Sequence, residues 1–337
     1  MPASLTGLYD RFYGCLVGGL IGDAMGAKAE DLSYQEIERQ YGKIVDVPEH
    51  PGTDDSRLKH MLCKAIIRSG GYPGPEEFAE VWREDMTPAN FYYPVANAYY
   101  KVFVQGVPPR QAGRGNMISN SSAMCIAPIG LINAGHPRGA AREALHVTQL
   151  IHDGLGQEAA AAVAAAVARA ATPGTTVDAV IEASWSYLGR GSEIEPYLRE
   201  TLEMARRAAG YEAFRSAFYA TRLQPWPGLR PDQNTAIDPR ETVPVALAIF
   251  ALSGGDFEST VVGCVNFGRD ADTIGTIGGA IAGAFCGGSR IRPEWRGAVE
   301  KVTPVDQRKL ADELLGALQR RHEELRAMLA VVGRASA

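Results

Sequence analysis

The sequence predicts an all-α protein, a compact multi-helix single domain over residues 1–337, on three observations. Apolar residues recur at helical spacing wherever the chain is periodic, and alternating strand patterns are absent or short. Two stretches carry glycines four residues apart: Gly14, Gly18, Gly22 and Gly26, then Gly275, Gly279 and Gly283. No long polar tract divides the chain, and its Pro and Gly residues are scattered among periodic segments, so no linker is expected.

Taken in order, the first glycine stretch is the least ordinary helix. An interior Gly costs roughly 1 kcal/mol relative to Ala. A register of four must be offset by close approach of another backbone to a face without side chains. The second stretch carries the same signature, so both helices are expected to be central and tightly packed, with each other as candidate partners. From Ser56 onward Leu58, Met61, Leu62, Ala65 and Ile66 share one helical face. Residues Asn90 to Phe103 concentrate Phe91, Tyr92, Tyr93, Tyr99, Tyr100 and Phe103, for which core packing is favoured over a base-stacking wall. The Ala-rich stretch Gly156 to Ala171, then Thr242 to Leu252, then an amphipathic segment from Asp306 to Val332 complete a set of about a dozen helices.

Composition narrows the function. At 46% hydrophobic and 22% charged residues, the chain has ordinary globular chemistry. A net charge of −5 with no Lys/Arg stripe argues against nucleic acid as a partner. The apolar run Cys15 to Ile21 is far below the roughly 20 residues that cross a bilayer, and it lacks a signal peptide's basic flank and cleavage site. A cytoplasmic protein without a membrane partner is expected. The five cysteines, Cys15, Cys63, Cys125, Cys264 and Cys286, form no CxxC pair and read as free thiols.

The acids carry the chemistry. Asp23 lies inside the first glycine stretch, with Glu30 and Asp31 just beyond it. Gly52-Thr53-Asp54-Asp55-Ser56 immediately precedes one helix, and Gly268-Arg269-Asp270-Ala271-Asp272-Thr273 precedes the second glycine helix. Either run alone could serve as a helix cap, because Asp, Ser and Thr satisfy the free N–H groups there. Two such runs imply more. Clustered carboxylates repel one another unless cations neutralise them, and an oxygen-only donor set suits magnesium or manganese.

At these residues the chain resembles the ADP-ribosylglycohydrolase family, which includes dinitrogenase-reductase-activating glycohydrolases, ADP-ribosyl-acceptor hydrolases and J1 crystallins. The resemblance runs in order through Gly14 to Glu30, Gly52 to Ser56, Ser119 to Gly130, Glu241 to Pro244 and Asn266 to Gly283. It implies an all-α fold with a binuclear centre of two Mg²⁺, or Mn²⁺, between helices. Thr53, Asp54 and Asp55 would bind metal from one side, and Asp270, Asp272 and Thr273 from the other. Glu30 would stand beside the metals and the ribose, with Glu30, Asp55 and Asp272 as the catalytic residues. The loop residues Ser119, Asn120, Ser121 and Ser122, together with His152, would contact the substrate.

That loop departs from the family's GNGxAMR pattern, with Ser119 and Ser121 for two glycines and Cys125 for the arginine. Added side chains restrict close backbone approach, and the loss of Arg removes a planar charged fork. The leading expectation is a metal-dependent glycohydrolase cleaving an N- or O-ribosyl bond of a small-molecule or protein-linked ADP-ribosyl conjugate. The alternatives are an N-ribosyl hydrolase for a small nucleotide or NAD-derived metabolite in a biosynthetic pathway, and a non-catalytic ADP-ribose-binding or crystallin-like protein.

Overall fold

The computed structural model describes residues 3–221 and 236–334. In chain order the helices are α1 (Ala3–Gly26), α2 (Tyr34–Tyr41), α3 (Asp54–Arg68), α4 (Pro75–Asp85), α5 (Tyr93–Phe103), α6 (Pro109–Ala112), α7 (Ser121–Cys125), α8 (Ala127–Leu131) and α9 (Pro137–Val147). They continue as α10 (Leu155–Ala170), α11 (Val177–Ser186), α12 (Glu195–Arg207), α13 (Tyr211–Thr221), α14 (Pro239–Leu252), α15 (Phe257–Phe267), α16 (Ala271–Cys286), α17 (Pro293–Glu300) and α18 (Gln307–Arg334). Among the described residues there is no strand, only an isolated antiparallel bridge between Ser33 and Gly268. The all-α expectation holds, with short helical pieces between residues 109 and 131 adding to the expected dozen.

The glycine helices α1 and α16 pack on each other, antiparallel, as their stripes required. Gly14 faces Gly283, Gly18 faces Gly279, and Gly22 faces Gly275. A Cβ at Gly275 would stand 2.5 Å from the carbonyl oxygen of Gly22, and at the other five positions it would come closer still to the partner's backbone. Backbone therefore meets backbone along the seam, and the dispersion gained there offsets the helix propensity the glycines forfeit.

The second central device is α10, whose alanines are buried on nearly every side. Small side chains let α8, α9, α11 and α16 all lie against it. Around these helices the buried apolar side chains form one connected core. The face of α3 predicted from Leu58, Met61, Leu62, Ala65 and Ile66 is buried as expected. In α18 the apolar residues Leu310, Leu314, Leu315 and Leu318 are buried, whereas Leu325, Met328 and Leu329 are exposed.

The aromatic run is divided between the edge of the core and the surface. Tyr93 is 74% and Tyr100 49% exposed, while Phe91, Tyr99 and Phe103 are half-buried against the core's edge. The inward residues of α5 are the smaller Pro94, Val95 and Ala98. Tyr99 and Phe103 share the side of Val95 at the core's edge, whereas Tyr93 and Tyr100 face outward, so type alone misplaced those two. All five cysteines are free thiols, and burial pushes those of Cys15 and Cys63 up to about 12.

Substitution along the seam should separate sterics from propensity. Gly22→Ala is expected to destabilise the fold by about 1–3 kcal/mol through overpacking. Gly7→Ala, in the same helix but with open space at its Cβ position, should be neutral or stabilising by up to about 1 kcal/mol. Urea midpoints of the two variants check this, and equal midpoints would contradict a backbone-to-backbone seam.

Candidate active site

Three helix ends converge because of the seam. Antiparallel packing brings the last turn of α1 to the first turn of α16, with Gly26 against the backbone of Asp272. The chain leaving α1 is pinned to the chain entering α16. The Asp31 N–H donates to the Arg269 carbonyl at 2.8 Å, and the Arg269 N–H donates to Leu32 at 2.6 Å. Asp31 and Arg269 both hold positive φ, 65° and 64°, a strained conformation for Arg that this pair of bonds fixes. The guanidinium of Arg269 forks onto buried Glu241, at 2.8 and 3.0 Å.

The start of α3 is tied to the same place. Asp23, fully buried in α1, accepts the Thr53 N–H at 2.9 Å and the Ser56 N–H at 3.0 Å. Thr53 caps α3 and its hydroxyl also donates to Asp272 Oδ2 at 3.2 Å. Asp54 Oδ2 accepts the Tyr92 N–H at 3.3 Å. The Asn120 side-chain amide donates to Asp270 Oδ2 at 2.6 Å, joining the serine loop to the acids. All six residues expected as metal ligands thus fall at the two facing helix starts. Asp55, Asp270, Asp272 and Thr273 are buried, while Thr53 and Asp54 are half-buried and Glu30 reaches solvent at the rim.

The electrostatic consequence is strain among acids. Burial, then Asp23 and Asp54, push Asp55 well above the carboxylate range, and burial, then Asp270 and Asp55, do the same to Asp272. Asp54 and Asp270 are also raised, chiefly by desolvation. Glu30 is pushed up to about 7 by desolvation and by Asp270, Asp31 and Asp54.

Ser119, Ser121, Ser122 and His152 come together as a closed, buried network. The Ser122 hydroxyl lies 2.7 Å from His152 Nδ1, and that of Ser119 lies 3.2 Å from Nε2 and 2.8 Å from the Ser121 hydroxyl. Burial drives His152 down to about 4, so the ring is neutral near pH 7. Gly156 lies flush against the His152 side chain and Gly113 against its backbone, leaving no room for a Cβ at either. Cys125 is wholly buried behind the loop.

Four participants were not assigned roles from sequence. Asp23 organises the start of α3, and its position inside the glycine stretch was the available signal. Lys59 is wholly buried, donates to the Leu16 carbonyl at 3.2 Å and faces Asp23 and Asp55 electrostatically. A lysine one turn beyond Asp55, flanked in sequence by core residues of α3, was its signal. The Glu241–Arg269 pair links two recognised motifs, but nothing local in sequence couples them.

Donor chemistry here fits a hard divalent cation. Asp55 Oδ2 and Asp272 Oδ1 are buried oxygens with no hydrogen-bond partner, which is costly for a carboxylate unless a cation takes them. The available donors are carboxylate and threonine oxygens. Among the described residues, however, no three Asp, Glu, His or Cys side chains are grouped as a ready ligand set. The fit lies in donor type and in unsatisfied atoms.

Carboxylates raised in the fold make the native state bind extra protons. Their stabilising contribution is full below about pH 4, the ordinary carboxylate value, and is lost as pH rises through the folded values, about 7 for Glu30. In chelator, Asp272→Asn should therefore stabilise the protein at pH 7.5 by about 1 kcal/mol or more and change little near pH 4. Urea titrations at the two pH values check the sign, and destabilisation at pH 7.5 would show that the acids are already compensated.

The ADP-ribosylglycohydrolase family model matches residues 4–324. The ADP-ribosyl-dinitrogen reductase glycohydrolase of Rhodospirillum rubrum is 26% identical, over 91% of this chain and 96% of its own. The ADP-ribosylhydrolase ARH3 of Bos taurus is 24% identical, over 88% of this chain and 90% of its own. A solved structure titled as an ADP-ribosylglycohydrolase-related protein complex shares the fold, with a TM-score of 0.67 and 22% identity over 94% of this chain and 99% of that one. With a match of this extent, the chain belongs to the ADP-ribosylglycohydrolase family, whose members are hydrolases acting on glycosidic bonds.

Proposed function

We propose that the protein hydrolyses the ribosyl bond of an ADP-ribosyl conjugate with two divalent cations, magnesium or manganese. Thr53, Asp54 and Asp55 would hold them from the start of α3, and Asp270, Asp272 and Thr273 from the start of α16. The observation that carries this reading is the pair of buried, unpartnered oxygens, Asp55 Oδ2 and Asp272 Oδ1, presented by two helix starts more than 200 residues apart.

When bound, the cations supply positive charge that orients the ribose diol and acidifies nearby water. The remaining chemistry belongs to the chain. Thr53 and Asn120 fix the carboxylates of Asp272 and Asp270 by hydrogen bonds. Glu30, at the solvent-facing rim with a value of about 7, can hold or release a proton near neutral pH, as a group assisting an oxocarbenium-like transition state must. Through Asn120 the serine loop adjoins the acids. His152 stays neutral there and fixes the Ser119 and Ser122 hydroxyls.

One observation favours a second reading, an N-ribosyl hydrolase acting on a small nucleotide or NAD-derived metabolite. The three serine hydroxyls of the loop are engaged with one another or with His152, and the added side chains limit backbone approach to a pyrophosphate.

Turnover of ADP-ribosyl-arginine, ADP-ribosyl-serine and simple nucleotide ribosides, with magnesium, with manganese and with chelator, distinguishes the two. Cleavage of an ADP-ribosyl conjugate, lost in chelator and reduced at least about 100-fold in Asp54→Ala/Asp272→Ala, is the expected result. Cleavage confined to the nucleotide ribosides would select the second reading, and chelator-resistant turnover would remove the metal from both. Glu30→Gln is expected to lower kcat by roughly 10²–10⁴ if Glu30 moves the proton. A kcat within a few-fold of wild type would rule out that role.

A further inference from the structure

Away from the acids, a cavity of about 670 Å³ opens between α3, the segment joining α4 to α5, and the start of α18. Its size falls within the roughly 300–1,000 Å³ typical of small-molecule pockets. Its apolar wall is made by Met61, Ile67, Phe91, Val305 and Leu310, from all three parts of the chain. None of the acids of the candidate active site lines it, and the cavity is independent of the function proposed above.

The charges around the cavity are not equivalent. Lys64 is neutralised by Asp85 at 2.6 Å and Glu84 at 3.2 Å, and Arg68 by Glu84 at 2.8 Å. His60 is hydrogen-bonded to the Gln307 side chain, and burial drives it down to about 3, so it carries no charge near neutral pH. Arg57 differs. It is exposed at the cavity's edge and has no ion pair or side-chain hydrogen bond among the described residues.

We propose that this cavity binds a small aromatic or alicyclic organic anion, with its ring against Met61, Phe91 and Leu310 and its acidic group on Arg57. A wholly apolar ligand would leave the guanidinium unmatched, while the several charges of a polyphosphate would meet the carboxylate of Glu313 on the same lining. One negative charge on an apolar body is the complement of this arrangement.

Two fluorescent probes with the same ring system test it: 1-anilinonaphthalene-8-sulfonate, an anion, and N-phenyl-1-naphthylamine, which is neutral. Both are expected to bind the full-length protein at one site, with blue-shifted, enhanced emission. Val305→Trp fills the cavity from its half-buried wall and should weaken both probes about tenfold or more. Arg57→Gln should weaken the sulfonate about tenfold and leave the neutral probe within about twofold. Circular dichroism melts confirm that both variants are folded. Failure of both probes to bind wild type, or binding that folded Val305→Trp leaves intact, would overturn the site. Equal responses of the two probes to Arg57→Gln, including no response, would overturn the anion assignment.

Discussion

The contact on which the structure depends is the antiparallel seam of α1 and α16. Six glycines in facing registers let two backbones meet without side chains between them, fixing both the spacing and the axial position of the helices. Axial position matters most for chemistry. A slip of one helical turn, about 5.4 Å, would carry Glu30 and Asp31 away from Asp270 and Asp272. The Asp31–Arg269 backbone pairing locks the same register at the end of the seam.

A fold that gathers four acids at two helix starts, beside Asp23 of α1, must limit their repulsion. The first turns of α3 and α16 bring partly positive N–H groups to the place. Asp23 spends both oxygens on the backbone of the α3 start, and Asn120 takes one oxygen of Asp270. Lys59 places an amine beneath Asp23 and Asp55, although burial lowers its own affinity for a proton. None of these reaches Asp55 Oδ2 or Asp272 Oδ1. What is left uncompensated is localised on two oxygens, the condition in which a divalent cation gains most.

Much of this was legible in the sequence, for local reasons. Glycines four apart announce a face without side chains, and acids just before an apolar-periodic run announce a helix start. Both signals lie within one or two turns of chain. The convergence of those starts was anticipated only because two such runs, each explicable alone as a cap, occur together. Long-range partners such as Arg269 with Glu241, or His152 with Ser119 and Ser122, leave no local trace, since either residue alone reads as ordinary. Tyr93 and Tyr100 of α5 were misplaced for another reason. Residue type was weighed over helical position, and Val95 and Ala98, not the larger Tyr93 and Tyr100, hold the inward positions.

The serine loop and the acids are held in place by different means. Acids at the helix starts are constrained by the seam, by Asp23 and by each other, so altering one disturbs several. The loop from Ser119 to Ser122 is held differently, by hydroxyl contacts to a neutral His152, by one backbone bond from Asn120 to Ile237 and by the Asn120 amide on Asp270. A glycine loop presents bare N–H groups, whereas this one presents side chains already satisfied by a buried imidazole. Its rigidity therefore comes from hydrogen bonds that close on themselves. A ligand that asks for those hydroxyls must break the network, and the Asn120 amide is likewise already held, by Asp270.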